Sequence, residues 1–470
     1  MSDELAYVSV ADLGRLIRRK EVSCEEIVRQ AVARTQALEP KLNSYITFQP
    51  EPALAQARAA DDRLRRGEDL GPQHGIPVSI KDHIATAGVP TSAGARALLG
   101  NVPTKDASVV RRLKAAGAVL MGKANMNKFA GGESGDNPDF GRIKTPWNLE
   151  YSAGGSSGGS GAMVAAGLVP LSVGTDNGGS IRIPAAVCGV VGLKPTFGRV
   201  SMDGVFPRAY TFDHAGPLTR TVEDAALALE VLAGHSAGDE TTSRRPVPRY
   251  AQSLGGSLAS VRVGIDPSFG AEARPAVLDR VAAAIQQLQA LGASVHEVRI
   301  PTSAEFDALT YSMSPEFSAA MGPLFREYPA AFAGEDMSWQ IAGELVPAVD
   351  YIRGMQRRRV VARQYAMATK EIDVFACPAY AFERRPFGPW PDIRGRATTF
   401  DDALRYTIPF DVLGLPAISV PCGFSDDGFP IGLQLVGRAF DEVTVLRVAH
   451  VYEQATDWHR RRPPISPPTP

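Results

Sequence analysis

Gly154-Gly155-Ser156-Ser157-Gly158-Gly159-Ser160-Gly161 is followed by a run of small apolar residues and then by Gly174-Thr175-Asp176-Asn177-Gly178-Gly179-Ser180. Two glycine/serine loops thus flank one apolar segment of about helical length. Glycine lets backbone N–H groups approach a ligand closely, and serine supplies hydroxyls that act as nucleophile or proton relay. A linker has no need of the apolar run between the loops. The pattern points to a reaction centre of backbone donors and hydroxyls, with residues 162–173 expected as a small-residue helix under both loops.

Upstream, Gly75-Ile76-Pro77-Val78-Ser79-Ile80-Lys81-Asp82 alternates as a strand does, with Lys81 at its end. Residues 107–116 read as a helix stopped by Gly117, and 118–123 as a short buried strand. This helix–Gly–strand order indicates α/β architecture. Residues 131–161, rich in Gly, Pro, Asn and Ser, are expected as a long loop, and such loops are usually functional. Nearer the N-terminus, Ser23 and Glu26 form a capping box for a helix that stops at Pro40, and 52–66 form a second helix.

Downstream, 181–191 and 221–232 read as helices, with Thr221 capping the second. Residues 261–265, 275–291 and 294–300 form a strand–helix–strand unit. Residues 372–376 are a strand, 417–422 and 431–436 pair around the Asp426-Asp427-Gly428 turn, and 441–453 are a closing helix. Residues 303–370 are mostly helical and carry Tyr311, Met313, Phe317, Met321 and Phe325, which must be core or pocket wall. The tail from Arg460 is Pro-rich and expected to be irregular.

At 470 residues the chain exceeds the usual limit of about 250–300 residues for a single core. Four segments are expected: an N-terminal helical segment (1–70), a core carrying the glycine loops (71–235), a variable helical pocket region (236–370) and the rest of the core sheet (371–470). A net charge of −1 gives no electrostatic case for nucleic acid or an anionic membrane. Cys24, Cys188, Cys377 and Cys422 form no C-x-x-C pair, which argues against a zinc ribbon or thioredoxin motif, and four thiols in so long a chain point to a reducing compartment. Neither a signal peptide nor a bilayer-length apolar run is visible, so a soluble cytoplasmic protein is expected.

Several chemistries drop out. There is no G-x-x-x-x-G-K-[ST], no G-x-G-x-x-G in the glycine stretch and no H-E-x-x-H. Gly155-Ser156-Ser157-Gly158-Gly159 matches the G-x-S-x-G elbow, but 150–153 do not read as the strand an elbow needs. Of the late histidines, His450 lies on a predicted helix and His459 in the tail. The scattered histidines, His74 and His83 beside the Lys81 strand included, read as surface or loop residues without a third ligand. Lys81 is either a solvated strand-end charge or a buried base whose pKa desolvation lowers from about 10.4. Asn177-Gly178-Gly179-Ser180 is either a turn or an anion nest for a phosphate or an oxyanion, and the missing Walker lysine disfavours phosphate.

The two glycine/serine loops, with Ile181-Arg182-Ile183-Pro184-Ala185-Ala186 after the second, closely resemble the amidase signature family. So do Gly189-Val190-Val191-Gly192-Leu193-Lys194-Pro195-Thr196, the Lys81 strand, Pro416 to Pro421 and Gly432 to Gly437. The resemblance runs from about residue 5 to 455. It implies an α/β fold, a large mixed β-sheet core covered on both faces by helices. It implies a nucleophile Ser180, a bridging Ser156 after a cis peptide bond, a base Lys81, and an oxyanion site from the N–H groups of Asn177, Gly178, Gly179 and Ser180. Gly131, Gly132 and Glu133 fall where the family contacts the substrate carbonyl.

The implied activity is hydrolysis of a C–N acyl bond in a carboxamide, anilide or carbamate, with no metal or organic cofactor. The implied partner is that small-molecule substrate, with no nucleic acid and no membrane; a homodimer is left open. A glutaminase subunit of a tRNA-dependent amidotransferase, or a non-catalytic anion-binding protein, are the alternatives. Asn177, Ala153 and Gly131-Gly132-Glu133-Ser134 depart from common family patterns and bear on substrate choice.

Overall fold

In a computed structural model, residues 5–312, 314–332 and 335–466 are described; Met313 and the last residues of the tail lie outside them. One sheet organises the chain. Its strands are β1 (Tyr45–Phe48), β2 (Pro77–Lys81), β3 (Val119–Ala124), β4 (Leu171–Asp176), β5 (Val191–Lys194), β6 (His214–Thr219), β7 (Arg262–Ile265), β8 (Ser294–Glu297), β9 (Val374–Pro378), β10 (Ala417–Phe424) and β11 (Pro430–Val436). They lie in the order β1-β3-β2-β4-β6-β5-β10-β11-β9-β7-β8. Pairing is mixed: β3, β2 and β4 are mutually parallel, β4 through β9 run antiparallel, and β9, β7 and β8 are parallel again.

Every residue of β2, β3, β4, β5, β6, β9, β10 and β11 is buried. Alternate residues of a strand face opposite sides of the sheet, so uniform burial means that helices cover both faces, as expected. Helix Gly158–Ala165 packs on β4, β6 and β2, helix Arg182–Cys188 on β11, β5 and β10, and helix Pro275–Ala290 on β9, β10 and β11. The predicted Ser23/Glu26 capping box is formed, and Thr221 caps its helix through Asp224 N.

Three local expectations need correction. Residues 162–173 are not one helix: the helix runs Gly158–Ala165, the chain turns at Gly167 (φ +68°) and Pro170, and Leu171–Asp176 is a central strand. An apolar run buried on all sides carries no periodicity to tell helix from strand. The long loop after residue 131 contains two ribbons, Asp136–Asn137 with Gly141–Arg142 and Lys144–Thr145 with Asn148–Ser152. A strand thus does precede the first serine loop, although it belongs to a ribbon and not to the main sheet. The first long helix passes through Pro40 and ends at Leu42.

Candidate active site

β2 and β4 are adjacent and parallel, and both deliver their C-terminal ends to the same place. β2 ends in Lys81; β4 ends in Thr175 and Asp176 and runs into the Asn177–Ser180 turn. The first serine loop closes over them. Its Gly155–Ser156 peptide is cis. Gly155 has no room for a side chain, since a Cβ there would stand 2.1 Å from Asn127 Oδ1. Ser157 N donates to Ser180 O at 3.2 Å, tying the two loops together.

Lys81 is fully buried, with its Nζ 2.7 Å from Ser156 Oγ and 3.0 Å from Thr175 Oγ1. Burial holds its ammonium well below the usual lysine range, against a counteracting pull from Asp176. Of the two sequence readings of Lys81, the buried one is found. Such a group sits as a neutral amine far more readily than a surface lysine does.

The Ser180 loop is fixed from below by a charged network. Asp176 Oδ1 accepts from Gly179 N at 2.6 Å and its Oδ2 from Ile181 N at 3.0 Å. Arg182 binds both oxygens, reaches Asp411 Oδ2 at 2.6 Å and donates to Thr407 O and Gln434 Oε1. Burial opposes ionisation of Asp176, but Arg182 outweighs it and holds the carboxyl below the usual range. The same burial wins at Asp411, whose carboxyl is raised well above it despite Arg182.

Gly179 N–H is therefore spent on Asp176. Of the four expected oxyanion donors, the backbone groups of Asn177, Gly178 and Ser180 are the ones not committed to that carboxylate. The Asn177 amide turns back onto Asp213 Oδ1 at 3.1 Å, and burial pushes the Asp213 carboxyl up to about 6.

Ser180, Asn177 and Gly178 open on a cavity of about 90 Å³ whose lining includes the apolar Ala209, Phe212, Phe317, Phe400, Leu404 and Ile408. Gly132 and Glu133 line it, and Arg208 is its one cation among the described residues. The aromatic helices of 303–370 thus contribute to the pocket through Phe317, while Met321 is core and Tyr311 is exposed. Gly131 lines only the adjoining polar cavity, of about 480 Å³, with Arg385 and Trp390. The Glu133 carboxylate accepts from Arg385 Nε at 2.8 Å, Trp390 Nε1 at 2.6 Å and Tyr380 Oη at 2.9 Å. Its oxygens are thus occupied by its own chain.

Sequence reasoning missed Thr175, Asp176, Arg182 and Asp411 as parts of the site; His83 and His74 lie in turns, within the expected surface or loop reading, but inside the protein and not at its surface. Both histidines are buried; His83 Nε2 lies 3.0 Å from Thr175 Oγ1, and His74 bridges Leu70 N and Ala60 O. Among the described residues there is no cluster of metal-ligating side chains and no helix long and apolar enough to cross a membrane.

A family model described as Amidase matches residues 26–446. A glutamyl-tRNA(Gln) amidotransferase subunit of Methylococcus capsulatus is 41% identical, over 97% of this chain and 98% of its own length. A chain from a vestigial protein complex tied to the origins of an s-triazine catabolic enzyme superposes with a TM-score of 0.90 at 33% identity, over 95% of this chain and 98% of its own. A bacterial aryl acylamidase of the amidase signature family gives 0.89 at 27% identity, over 97% and 98%.

These relatives overturn the expected partner set of a small molecule and no nucleic acid. A relative spanning nearly the whole chain is named as a subunit of an enzyme for glutamyl-tRNA(Gln). Net charge had argued against nucleic acid, but it measures the field of one chain and not the composition of an assembly.

Proposed function

The chain belongs to the amidase signature family, an enzyme family acting on C–N bonds, and from that premise we propose that it cleaves a carboxamide through an acyl-enzyme on Ser180. The observation that carries this is the 2.7 Å contact between buried Lys81 Nζ and Ser156 Oγ. Neutral Lys81 takes the Ser156 proton as Ser156 takes that of Ser180. The Ser180 oxygen attacks the carbonyl carbon, and the oxyanion is held by backbone N–H groups of Asn177, Gly178 and Ser180. The proton returns through Ser156 to the leaving nitrogen, the C–N bond breaks, and water then cleaves the ester by the same relay.

The amide is that of glutamine and the setting is a tRNA-dependent amidotransferase, in which this chain is the ammonia-releasing subunit. Support comes from the curated relatives, 38–41% identical over 97–98% of the chain. The neighbour from a protein complex agrees with a chain that works beside a partner. One observation favours a second reading, an amidase acting alone on an aryl or alkyl amide, anilide or carbamate. Much of the lining of the cavity that holds Ser180 is apolar, and an aryl acylamidase shares the fold. Turnover assays separate the two. Glutamine hydrolysis that requires partner subunits supports the first; cleavage of anilides by the chain alone, with glutamine untouched, supports the second.

A further inference from the structure

Lys81 has two hydroxyl neighbours, and only one leads to Ser180. On the other side, Thr175 Oγ1 lies 3.0 Å from Lys81 Nζ and 3.0 Å from His83 Nε2. His83, two residues beyond Lys81, is 4% exposed and takes no part in the relay. We propose that His83 is a positioning residue for the base: by accepting the Thr175 hydroxyl proton at Nε2 it makes Thr175 an acceptor and turns the Lys81 lone pair to Ser156. This rests on Lys81 being the base.

The roles follow from Lys81 outward. A neutral amine has one lone pair, which must face Ser156 Oγ if it is to take that proton. Nζ then meets Thr175 with an N–H, so Thr175 accepts. A threonine hydroxyl has a single hydrogen, and with Lys81 donating, it goes to the remaining partner, His83 Nε2. In this arrangement the imidazole carries its proton on Nδ1, a buried atom with no hydrogen-bond partner among the described residues. With the proton on Nε2, His83 would donate, the Thr175 hydrogen would turn to the Lys81 lone pair, and the base would be occupied. Imidazolium would do the same. Burial first, then positive charge at a protonated Lys81, at Lys123 and at Arg208, hold the His83 pKa well below its usual value, so the imidazolium is disfavoured.

Inactivation of the full chain by a fluorophosphonate reads Ser180 activation without the natural amide. Replacing His83→Leu is expected to slow the maximal inactivation rate about 3- to 10-fold, the worth of one hydrogen bond, with the binding constant of the reagent unchanged. The acid limb of the rate–pH profile moves to lower pH, because an unpolarised Thr175 accepts less well from the Lys81 ammonium. His83→Gln, whose amide oxygen reaches the place of Nε2, keeps the wild-type rate and limb; His83→Asn, which falls short of it, behaves as His83→Leu. In a Thr175→Val background, His83→Leu costs nothing further.

A labelled wild type with an unaltered His83→Leu rate and profile overturns the role of His83, as does full additivity with Thr175→Val. If His83→Leu does not fold, equal rates for His83→Gln and His83→Asn overturn it. A folded wild type that is not labelled overturns the Ser180 relay itself, and the role of His83 with it.

Discussion

Asp176 and Arg182 face each other across the turn that carries Ser180, joined by two hydrogen bonds of 2.9 Å and both wholly buried. Arg182 continues to Asp411 at 2.6 Å, so one guanidinium serves a carboxyl from its own turn and one from a distant part of the chain. Removing one partner of such a buried set leaves uncompensated charge. Arg182→Met is expected to cost about 3–5 kcal/mol, read by urea denaturation. The Asp176 carboxyl is held below its unfolded value, so its contribution is present above about pH 4 and lost as pH falls through the folded value. That acid-side loss disappears in the variant; an unchanged midpoint would show the network to be idle.

Gly179 is the narrowest point of the same turn. Its φ is +123°, and a Cβ would stand 2.5 Å from Thr407 Oγ1 and 2.7 Å from Ile183 Cδ1. Gly179→Ala must shift the turn that sets the neighbouring N–H groups. Losing one oxyanion donor costs about 10²–10³ in rate, and a fall of that size in labelling of Ser180 is expected. A variant with the wild-type rate would remove the turn from the mechanism.

Glu133 holds the segment around Arg385 and Trp390 against the pocket. Glu133→Ala leaves the buried Arg385 without its carboxylate and is expected to cost about 3–5 kcal/mol. Stability and activity fall together, because Gly132 and Glu133 line the cavity beside Ser180. Wild-type stability with lost activity would instead mean that the carboxylate meets the substrate.

Far from the site, burial pushes Glu453 up to about 8, while its Oε1 accepts from Val222 N at 2.9 Å. A carboxyl that binds its proton more tightly when folded contributes fully below about pH 4, and that contribution is lost as pH rises toward 8. The expected slope is about 1.4 kcal/mol per pH unit for one proton between pH 5 and 7. Glu453→Gln removes it, so the variant gains on the wild type as pH rises. Parallel stability curves for the two proteins would contradict this.

The sequence disclosed the parts of the site whose function needs glycine. Gly155 and Gly179 stand where no side chain fits, and the loops around them were visible at once. Lys81 was legible as the end of an alternating strand. What remained hidden depends on distant contacts: Thr175 and His83 are 92 residues apart, Glu133 and Arg385 252. The burial of His83 was not legible because a single imidazole in the turn after a strand has no pattern of its own. The strand Leu171–Asp176 was hidden for a related reason, since burial on both faces removes the alternation that marks a strand.

The relay depends on buried Lys81 activating Ser180 through Ser156. Its sharpest test is mass-spectrometric mapping of the fluorophosphonate adduct, with rates, in wild type, Ser180→Ala, Ser156→Ala and Lys81→Ala, each checked for folding by its melting curve. One adduct is expected, on Ser180 in the wild type, absent in Ser180→Ala and slower by about 10³-fold or more in the other two. An adduct on another residue, or Ser180 labelled as fast without Lys81 as with it, would contradict the relay.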